Sequence, residues 1–355
     1  MLPTDSFATR VLDWFDRHGR KDLPWQEDAS PYRVWVSEIM LQQTQVKTVI
    51  PYFQRFMANF PSVQLLSAAK LDQVLHLWTG LGYYARARNL HRTAGIICDD
   101  LSGEFPGSVE ALCELPGIGR STAGAIRTIA FGKPATILDG NVKRVVARYA
   151  AVTGWPGKAA VSKRLWQIAD SYTPSSRTGD FSQAMMDLGA TVCTRATPAC
   201  HQCPLEKDCE ASINGEQANY PGSKPRKSLP VKAATFLIIR AQNGEVWLER
   251  RPLYGLWGGL WCFPELTQAE DPTAWCLDRW ALEPVAEAWS GFRHSFSHYH
   301  LDIQPILLTL PGIPETIMEQ GQQLWYNLRQ PPEIGLAAPV ARLLARLEEH
   351  SPRDG

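Results

Sequence analysis

The chain has 355 residues, of which 45% are hydrophobic and 20% are charged, and 36 basic side chains balance 36 acidic ones. This length suits two domains, and the composition excludes a chain that is disordered throughout. The zero net charge excludes a protein that binds nucleic acid through a positive charge of the whole chain.

The charge is nevertheless uneven along the chain. Residues 1–230 carry a net charge of +5 and residues 231–355 carry −5, and the stretch 214–230 contains three prolines and two glycines. We therefore predict a first domain at 1–213, a linker at 214–230 and a second domain at 231–355. The cations of the linker (Lys224, Arg226 and Lys227) are predicted either to touch phosphates or to belong to a solvated tether.

The cell compartment can be inferred from apolar runs and cysteines. The N-terminal region carries charges at Asp5, Arg10 and Asp13, and the chain contains neither the apolar run of a signal peptide nor that of a membrane span. We expect a protein without a membrane partner in the reducing cytoplasm of a bacterium. Clustered cysteines in such a compartment more often bind metal than form disulfides.

The elements are predicted from the period of the apolar residues. Helical spacing appears around residues 32–46, 70–79, 83–98, 108–115, 120–131, 141–152, 161–172 and 180–193. Strands are predicted at Thr235–Ala241 and Glu245–Arg250 around an Asn243-Gly244 turn, and another near His298–Leu310. A helix at Val340–Glu349 closes the chain. The predicted fold class is therefore an all-α domain followed by an α+β domain.

Pro116, Gly117 and Gly119 are predicted to form a tight turn between two helices. Glycines in such a turn expose backbone N–H groups, and the next helix adds its positive N-terminus, so the pair can receive a phosphate. A turn without any ligand is the alternative. Twenty residues after Gly119, Asp139 is predicted to be the N-cap of a helix that starts near Asn141.

A third motif consists of four closely spaced cysteines. The spacing is C-x6-C-x2-C-x5-C within residues 193–209, and its members are Cys193, Cys200, Cys203 and Cys209. Four such thiolates can surround one metal centre, and the pair Cys203-Pro204 is typical of iron–sulfur loops. A structural zinc ion is the alternative, because four thiolates also suit tetrahedral zinc. The other cysteines are predicted to be ordinary buried thiols.

Together, the turn, the downstream aspartate and the cysteine loop resemble the helix-hairpin-helix DNA glycosylases of the endonuclease III superfamily. Within it, residues 23–25, 37–46, 80–90 and 119–123 are most similar to MutY-type adenine DNA glycosylases. The resemblance extends from about residue 7 to about residue 350. It implies a base-excision-repair enzyme with a [4Fe–4S] cluster. The implied reaction flips adenine out of DNA and hydrolyses its N-glycosidic bond opposite 8-oxoguanine or guanine.

The resemblance assigns the chemistry to three residues. Glu38, which lies among apolar neighbours of a predicted helix, would have a raised pKa and protonate adenine at N7. Without the resemblance, a solvent-facing glutamate is the alternative. Asp139 would be ionised and stabilise the cationic sugar or bond it transiently. Asn141 would orient Asp139 or the attacking water.

Further contacts follow from the same resemblance. The implied walls of the adenine pocket are Trp25 and Gln183, and for Trp25 ordinary core packing is the alternative. The implied DNA-binding residues are Gln43, Thr44, Leu81, Tyr83, Arg86, Pro116, Gly117, Gly119, Ser121 and Lys143.

Position 121 bears on the type of glycosylase. The bifunctional relatives carry there a lysine that forms a Schiff base with the sugar. Ser121 has no amine and cannot form a Schiff base, so we expect base removal with at most weak lyase activity. An occasional adduct of Lys143 is one source of such activity, and a phosphate contact is its alternative role.

Residues 231–355 resemble the MutT-like (Nudix) domain of these enzymes. The segment from Gly259 to Glu265 fits the opening of a Nudix box, but residues 273–278 retain a single acid, Asp278. The Mg²⁺ ligands are therefore incomplete, and we expect lesion recognition instead of nucleotide hydrolysis. The resemblance implies that Phe296, Ser297 and His298 recognise 8-oxoguanine, with Ser297 bonded to the lesion and His298 supporting it. A histidine metal site is the disfavoured alternative.

Two other functions remain as alternatives. One is an endonuclease III-type glycosylase/lyase acting on oxidised pyrimidines, which Ser121 and the C-terminal domain disfavour. The other is a non-catalytic DNA-lesion binder, which the presence of Glu38 and Asp139 disfavours. The expected partner is double-stranded DNA with A:8-oxoguanine or A:G mispairs, bound by a nucleoid-associated monomer.

Overall fold

The computed structural model of the protein describes residues 4–225, 228–267, 270–314 and 321–350. The chain divides into two compact units, the first comprising Met1–Ala68 and Asn89–Arg226 and the second comprising Ala69–Arg88 and Lys227–Gly355. The second unit thus includes a segment from the middle of the helical region. The domain bounds derived from composition cut the chain at the linker alone, and they stay a prediction.

The chain is helical up to residue 213. The helices are α1 (Thr4–His18), α2 (Pro31–Leu41), α3 (Val46–Asn59), α4 (Val63–Ala68), α5 (Leu71–Leu77), α6 (Ala85–Asp100), α7 (Val109–Cys113), α8 (Arg120–Ala125), α9 (Gly140–Tyr149), α10 (Ala159–Tyr172), α11 (Thr178–Asp187) and α12 (Glu210–Ile213). Short π-helical turns extend α8 to Ala130 and α11 to Val192. Helix α5 belongs to the second unit, and α6 starts there.

The helix predicted at 32–46 is in fact helix α2, a turn after Leu41 and the first residue of α3. Helix α2 ends at Leu41, and Gln43 has a left-handed backbone with φ of 61°. A right-handed helix cannot continue through such a residue, so the chain turns before α3 begins at Val46. Helices α1 and α4 and most of α3 are not among the predicted helices.

The core of the first unit supports the segment that carries Asp139. Phe7 of α1 stacks on Tyr172 with ring centroids 4.3 Å apart and meets Tyr149 edge-on at 4.9 Å. In α8, a Cβ at Gly124 would come within 2.4 Å of the carbonyl oxygen of Thr136. Glycine therefore lets the backbone that leads to Asp139 pack directly against α8.

The second unit is built on a mixed sheet. Its strands are β1 (Val231–Arg240), β2 (Val246–Arg250), β3 (Trp261–Cys262), β4 (Glu265–Leu266), β5 (Val285–Ala288), β6 (Phe292–Ser295), β7 (His300–Thr309) and β8 (Gln323–Tyr326). The order is β3-β2-β1-β7-β5, with β4 also paired to β1, β6 to β7 and β8 to β2. Helices α13 (Pro272–Trp280) and α14 (Ala338–His350) complete the unit.

Strands β1 and β2 form the hairpin predicted from Asn243-Gly244. The N–H of Ala241 donates to the carbonyl oxygen of Glu245 at 2.9 Å, which closes the turn. Strand β7 runs parallel to β1 along its whole length and starts at His300, two residues after the predicted start. Residue 298 consequently lies in the connection between β6 and β7.

Residues 69–88 are held within the second unit by polar contacts. The Asp72 carboxylate accepts a hydrogen bond from Trp261 Nε1 at 3.3 Å and forms an ion pair with Arg250 at 3.3 Å. The hydroxyl of Tyr84 donates to the carbonyl oxygen of Leu336 at 3.3 Å. In the part of the chain that the structure describes, no helix is long and apolar enough to cross a membrane.

Candidate active site

The turn predicted around Pro116 is a type II turn between α7 and α8. The N–H of Ile118 donates to the carbonyl oxygen of Leu115 at 3.1 Å, and Gly117 has a φ of +82°. This conformation favours proline at the second position and glycine at the third. The hydroxyl of Thr93 anchors the turn by donating to the carbonyl oxygen of Pro116 at 2.9 Å. Gly117 and Gly119 are exposed, so their backbone can be approached from solvent.

Asp139 caps α9, as its sequence position predicts. Its carboxylate accepts a hydrogen bond from the N–H of Val142 at 2.7 Å and another from Asn141 Nδ2 at 3.2 Å. On the other side, Ser121 Oγ accepts a hydrogen bond from the N–H of Leu138 at 3.0 Å. The backbone on both sides of Asp139 is therefore fixed, and Asn141 orients its carboxylate.

Glu38 lies on α2, half-buried between the buried residues Ser37 and Ile39. Burial, and then the negative charge of Asp139, raise the pKa of Glu38 to about 8. The two carboxyl groups are thus close enough for their charges to interact. A carboxyl with this pKa holds its proton at neutral pH and can donate it.

Burial also raises the pKa of Asp139, although hydrogen bonds from Val142 and Asn141 and the charge of Arg144 oppose the rise. The net upward direction differs from the sequence-based expectation of a simply ionised aspartate. Its physical reason is desolvation of the carboxylate. Both causes acting on Glu38 favour its neutral form, whereas three residues favour the ionised form of Asp139. Of the two carboxyl groups, Glu38 is therefore the one whose surroundings favour the protonated form throughout.

The cysteine loop lies against the core of the first unit. All four cysteines are half-buried, and three of them (Cys193, Cys203 and Cys209) pack against buried residues of the core. Burial, together with the other three thiols, raises the pKa of Cys203 to about 12. Gln217 Nε2 lies 3.7 Å from Cys200 Sγ. Within the described residues, no three His, Cys, Asp or Glu side chains gather as a site for one metal ion.

The two side chains assigned to the adenine pocket both make contacts with other residues of the protein. Trp25 is buried and meets the ring of Phe53 edge-on at 5.4 Å, as the core alternative predicts. Gln183 Nε2 donates to Asp187 at 2.8 Å, and Asp187 also accepts from Arg20. Their pocket role stays a prediction.

The predicted DNA contacts of the first unit differ in exposure. Gln43 is exposed, because its left-handed backbone places it at the outside of the turn between α2 and α3. Thr44 is half-buried, with its N–H bonded to the carbonyl oxygen of Leu41 at 3.2 Å. Lys143 is half-buried on α9. Gln43 is thus the member of this set that presents most of its side chain to solvent.

In the second unit, the predicted contacts surround the turn at residues 81–83. The Tyr83 side chain is 50% exposed, whereas Leu81 is 6% exposed. Arg86 is buried, donates to the carbonyl oxygen of Gly82 at 3.1 Å and stacks its guanidinium on Tyr83 at 5.5 Å. The cation of Arg86 thus holds the turn from inside the protein, and its DNA contact stays a prediction. Tyr83 is the side chain of this turn that can enter a base stack.

The residues assigned to lesion recognition form a tight connection between β6 and β7. The N–H of Phe296 donates to the carbonyl oxygen of Tyr299 at 2.9 Å, which brings Ser297 and His298 to the outside. Ser297 Oγ lies 3.5 Å from His298 Nδ1. His300 instead pairs with Ser295 Oγ at 2.9 Å. The three residues are therefore presented together, with the hydroxyl exposed.

The Nudix-box segment lacks a free set of carboxylates among its described residues. Glu265 forms an ion pair with Arg251 at 2.7 Å, and Asp278 is the acid that α13 retains. A Mg²⁺ ion for nucleotide hydrolysis needs oxygen ligands that these residues do not provide.

Comparisons with known proteins identify the family. Residues 36–171 match the model of the HhH-GPD superfamily of base excision DNA repair proteins, and residues 234–346 match that of the NUDIX domain. The adenine DNA glycosylase of Buchnera aphidicola (subsp. Acyrthosiphon pisum, strain APS) is 44% identical, and the alignment covers 97% of this chain and 98% of that protein. The chain belongs to the adenine DNA glycosylase family.

Other relatives agree with this assignment. The human adenine DNA glycosylase is 36% identical over 89% of this chain and 69% of its own length. A thermostable thymine-DNA glycosylase of known structure covers 59% of this chain at 27% identity, with a TM-score of 0.54. An endonuclease III–DNA intermediate shares the fold at 21% identity, with a TM-score of 0.50 over 61% of this chain. The predicted family, enzyme class and fold class are confirmed.

This adenine DNA glycosylase has two arginines near its candidate active site that the sequence reasoning missed. Arg144 Nη2 donates to Asn141 Oδ1 at 2.9 Å, and its Nε donates to the carbonyl oxygen of Cys193 at 2.7 Å. Arg148 is buried, and its Nη1 lies 3.3 Å from Cys193 Sγ. The signal in the sequence is their spacing of four, which places both on one face of the helix that Asp139 caps.

Three described residues of the predicted linker make contacts within the first unit. Arg148 Nε donates to the carbonyl oxygens of Gln217 and Tyr220 at 2.9 and 3.0 Å. Lys224 lies over the ring of Trp155 at 5.7 Å. Arg226 and Lys227 lie outside the described residues, so their predicted phosphate contacts are untested.

Proposed function

We propose that this enzyme removes adenine paired with 8-oxoguanine, or with guanine, by hydrolysing its N-glycosidic bond in double-stranded DNA. The observation that carries the proposal is a pair of half-buried, interacting carboxyl groups, of which Asp139 alone accepts hydrogen bonds that favour its ionised form. Glu38 is held neutral by burial, and Asp139 is held by donors at the start of α9. Such a pair can supply one acid and one anion.

The proposed roles follow from these environments. The adenine leaves the stack to reach the site, and Glu38 donates its proton to N7 of the base, which makes adenine a better leaving group. Asp139 stabilises the positive charge that develops on the sugar, and Asn141 keeps its carboxylate in place.

Ser121 has no amine for a Schiff base, and its Oγ is bonded to the N–H of Leu138. Cleavage of the DNA strand is therefore at most a side reaction, with Lys143 as its amine.

The DNA is held through the exposed features of both units. The backbone of Gly117 and Gly119 suits a phosphate, and Gln43, Thr44 and Tyr83 suit the bases around the target. Ser297 contacts the 8-oxoguanine, and His298, 3.5 Å away, keeps the hydroxyl oriented. A monomeric, cytoplasmic and nucleoid-associated enzyme remains a prediction.

A [4Fe–4S] cluster is the proposed cofactor, held by Cys193, Cys200, Cys203 and Cys209. The other three thiols of the loop act electrostatically on Cys203, so the four sulfurs lie near one another. Their spacing along the sequence and the pair Cys203-Pro204 support the cluster, and a tetrahedral zinc ion is the alternative. The positive charge of Arg148 beside Cys193 also suits a thiolate. When bound, the cluster would fix this loop against the core.

The cofactor proposal predicts a composition. The purified enzyme should absorb in the visible region and contain about four iron and four sulfide per chain. Cys203→Ser should lower both contents, whereas the same change at Cys98, which lies outside the loop, should leave them unchanged. Iron and sulfide analysis beside zinc analysis provides the measurement. One zinc per chain without iron would contradict the cluster.

One assay tests the function directly. The protein is incubated with duplexes that contain A:8-oxoguanine, A:G or an oxidised pyrimidine, and the products are analysed with and without alkali. We expect cleavage at the adenine only after alkali. Cleavage at the pyrimidine would favour the endonuclease III-type alternative. Binding of the A:8-oxoguanine duplex without any excision would favour the lesion binder.

Ser297→Ala is expected to narrow the difference in excision rate between 8-oxoguanine and guanine partners by about tenfold, because it removes a hydrogen bond to the lesion. Single-turnover rates on the two duplexes measure this ratio. Ser295→Ala is the matched control, since Ser295 bonds His300 within the protein. An unchanged ratio in Ser297→Ala would remove the residue from recognition.

A further inference from the structure

A loop of the second unit contacts two of its segments that are proposed above to bind DNA. We define the relay loop as residues 252–259, between β2 and β3. Two adjacent residues of this loop make the contacts: Trp257 meets the aromatic residues beside Ser297, and Gly258 meets the segment that carries Tyr83. Both contacts lie within one compact unit.

The first contact is made by Trp257. Its ring lies 5.4 Å from that of Phe296 and 5.7 Å from that of His294, centroid to centroid. Phe296 and His294 also meet edge-on at 4.6 Å. Trp257 is 8% exposed, and its backbone is left-handed with a φ of 52°. An L residue adopts this conformation at an energetic cost, so the packing of the ring holds the backbone there.

The second contact is made by Gly258. Its carbonyl oxygen accepts a hydrogen bond of 2.7 Å from Arg88 Nη1. Arg88 lies in the first turn of α6, directly after the turn at residues 81–83, and its N–H bonds to the carbonyl oxygen of Tyr84. The guanidinium is therefore a short, charge-assisted connection from the relay loop to the start of this helix.

Adjacent residues of one loop thus touch the two elements. A displacement of Phe296 changes the packing of Trp257, and the carbonyl of Gly258 follows because it is the next residue. Helix α5, which precedes the 81–83 turn, is held to Trp261 and Arg250 through Asp72. Close packing of this kind transmits small displacements.

We propose that Trp257 and Arg88 are positioning residues that couple the recognition of the opposite base at Ser297 to the insertion of Tyr83 into the duplex. The inference rests on the proposed recognition of 8-oxoguanine. The 8-oxoguanine partner holds the Phe296–His298 connection in one position, and the relay loop then favours one position of the 81–83 turn. A guanine partner, with fewer contacts to Ser297, biases this equilibrium less.

The test compares the ratio of excision rates opposite 8-oxoguanine and opposite guanine. Arg88→Met is expected to lower this ratio about fivefold, as the loss of a charge-assisted hydrogen bond suggests. Trp257→Leu should do the same, and Trp257→Phe should restore most of the ratio because it keeps a ring. Arg92→Met is the matched control, since Arg92 is exposed on the same helix. Thermal unfolding shows whether each variant is folded.

A second readout follows base unstacking. 2-Aminopurine next to the target adenine should fluoresce more with an 8-oxoguanine partner than with guanine, and Arg88→Met should reduce that difference. In the Ser297→Ala background, Arg88→Met should lower the rate ratio no further. Equal lowering in both backgrounds, or an unchanged ratio in folded Arg88→Met and Trp257→Leu, would overturn the coupling. A wild-type enzyme with equal rates on both duplexes would refute the recognition itself instead.

Discussion

Replacing Asp139 by asparagine is expected to reduce the single-turnover rate of adenine excision by at least about a thousandfold, because it removes the anion that stabilises the cationic sugar. The change keeps the size of the side chain. Asparagine caps a helix as well as aspartate does, so the bond from the N–H of Val142 is retained. DNA affinity should therefore stay within about threefold, which fluorescence anisotropy with an A:8-oxoguanine duplex measures.

A matched control separates capping from chemistry. Asp271 caps α13 by accepting a hydrogen bond from the N–H of Thr273 at 2.9 Å, and it is exposed. Asp271→Asn makes the same chemical change at another helix start and should leave excision unchanged. If Asp139→Asn retained wild-type turnover, the anion would have to come from another group and the proposed role of Asp139 would be wrong.

Several local features of the site could be predicted from the sequence because each depends on a few neighbouring residues. The turn at Pro116 and Gly117 requires proline and glycine in that order, and the cap at Asp139 requires a short acceptor before a helix. The hairpin at Asn243-Gly244 follows the same logic. The raised pKa of Glu38 was predictable as well, since apolar residues surround it along α2.

Other features of the site depend on contacts between residues that are distant in sequence. The residue pattern of a single segment does not predict such contacts. In the sequence Arg86 resembles a DNA-binding residue beside Tyr83, but in the fold its guanidinium bonds to carbonyl groups of the turn. Arg144 looks like a surface cation of α9, but the cysteine loop brings the carbonyl of Cys193 to it. The membership of residues 69–88 in the second unit depends on Asp72 meeting Trp261, 189 positions away.

Contacts between distant residues also connect the candidate active site to the cysteine loop. Asn141 bonds both Asp139 and Arg144, and Arg144 bonds the backbone of Cys193. The carboxylate of Asp139 is therefore connected to the cysteine loop by three consecutive hydrogen bonds. Four metal-bound thiolates, as in the proposed cluster, would make this connection rigid and would give the cluster a structural role.

Glu38→Gln is expected to lower the rate of excision by about 10²- to 10⁴-fold, because a glutamine amide cannot donate an acidic proton to adenine. The pH dependence of the wild-type enzyme provides an independent check. Since the pKa of Glu38 is raised to about 8, the carboxyl is protonated below that pH and ionised above it. The rate of adenine excision should stay constant through neutral pH and fall about tenfold per pH unit above pH 8.

The same raised pKa determines how stability depends on pH. In the unfolded chain this carboxyl titrates near its ordinary value of 4.5, so between about pH 4.5 and 8 the folded state holds one proton more than the unfolded state. The free energy of unfolding should therefore fall as pH rises through this window, and Glu38→Gln should reduce the slope. Glu110→Gln, at an exposed glutamate of α7, is the control that should keep both the slope and the rate profile. A wild-type rate that stays level to pH 9.5 would show that another group donates the proton, even if Glu38→Gln were inactive.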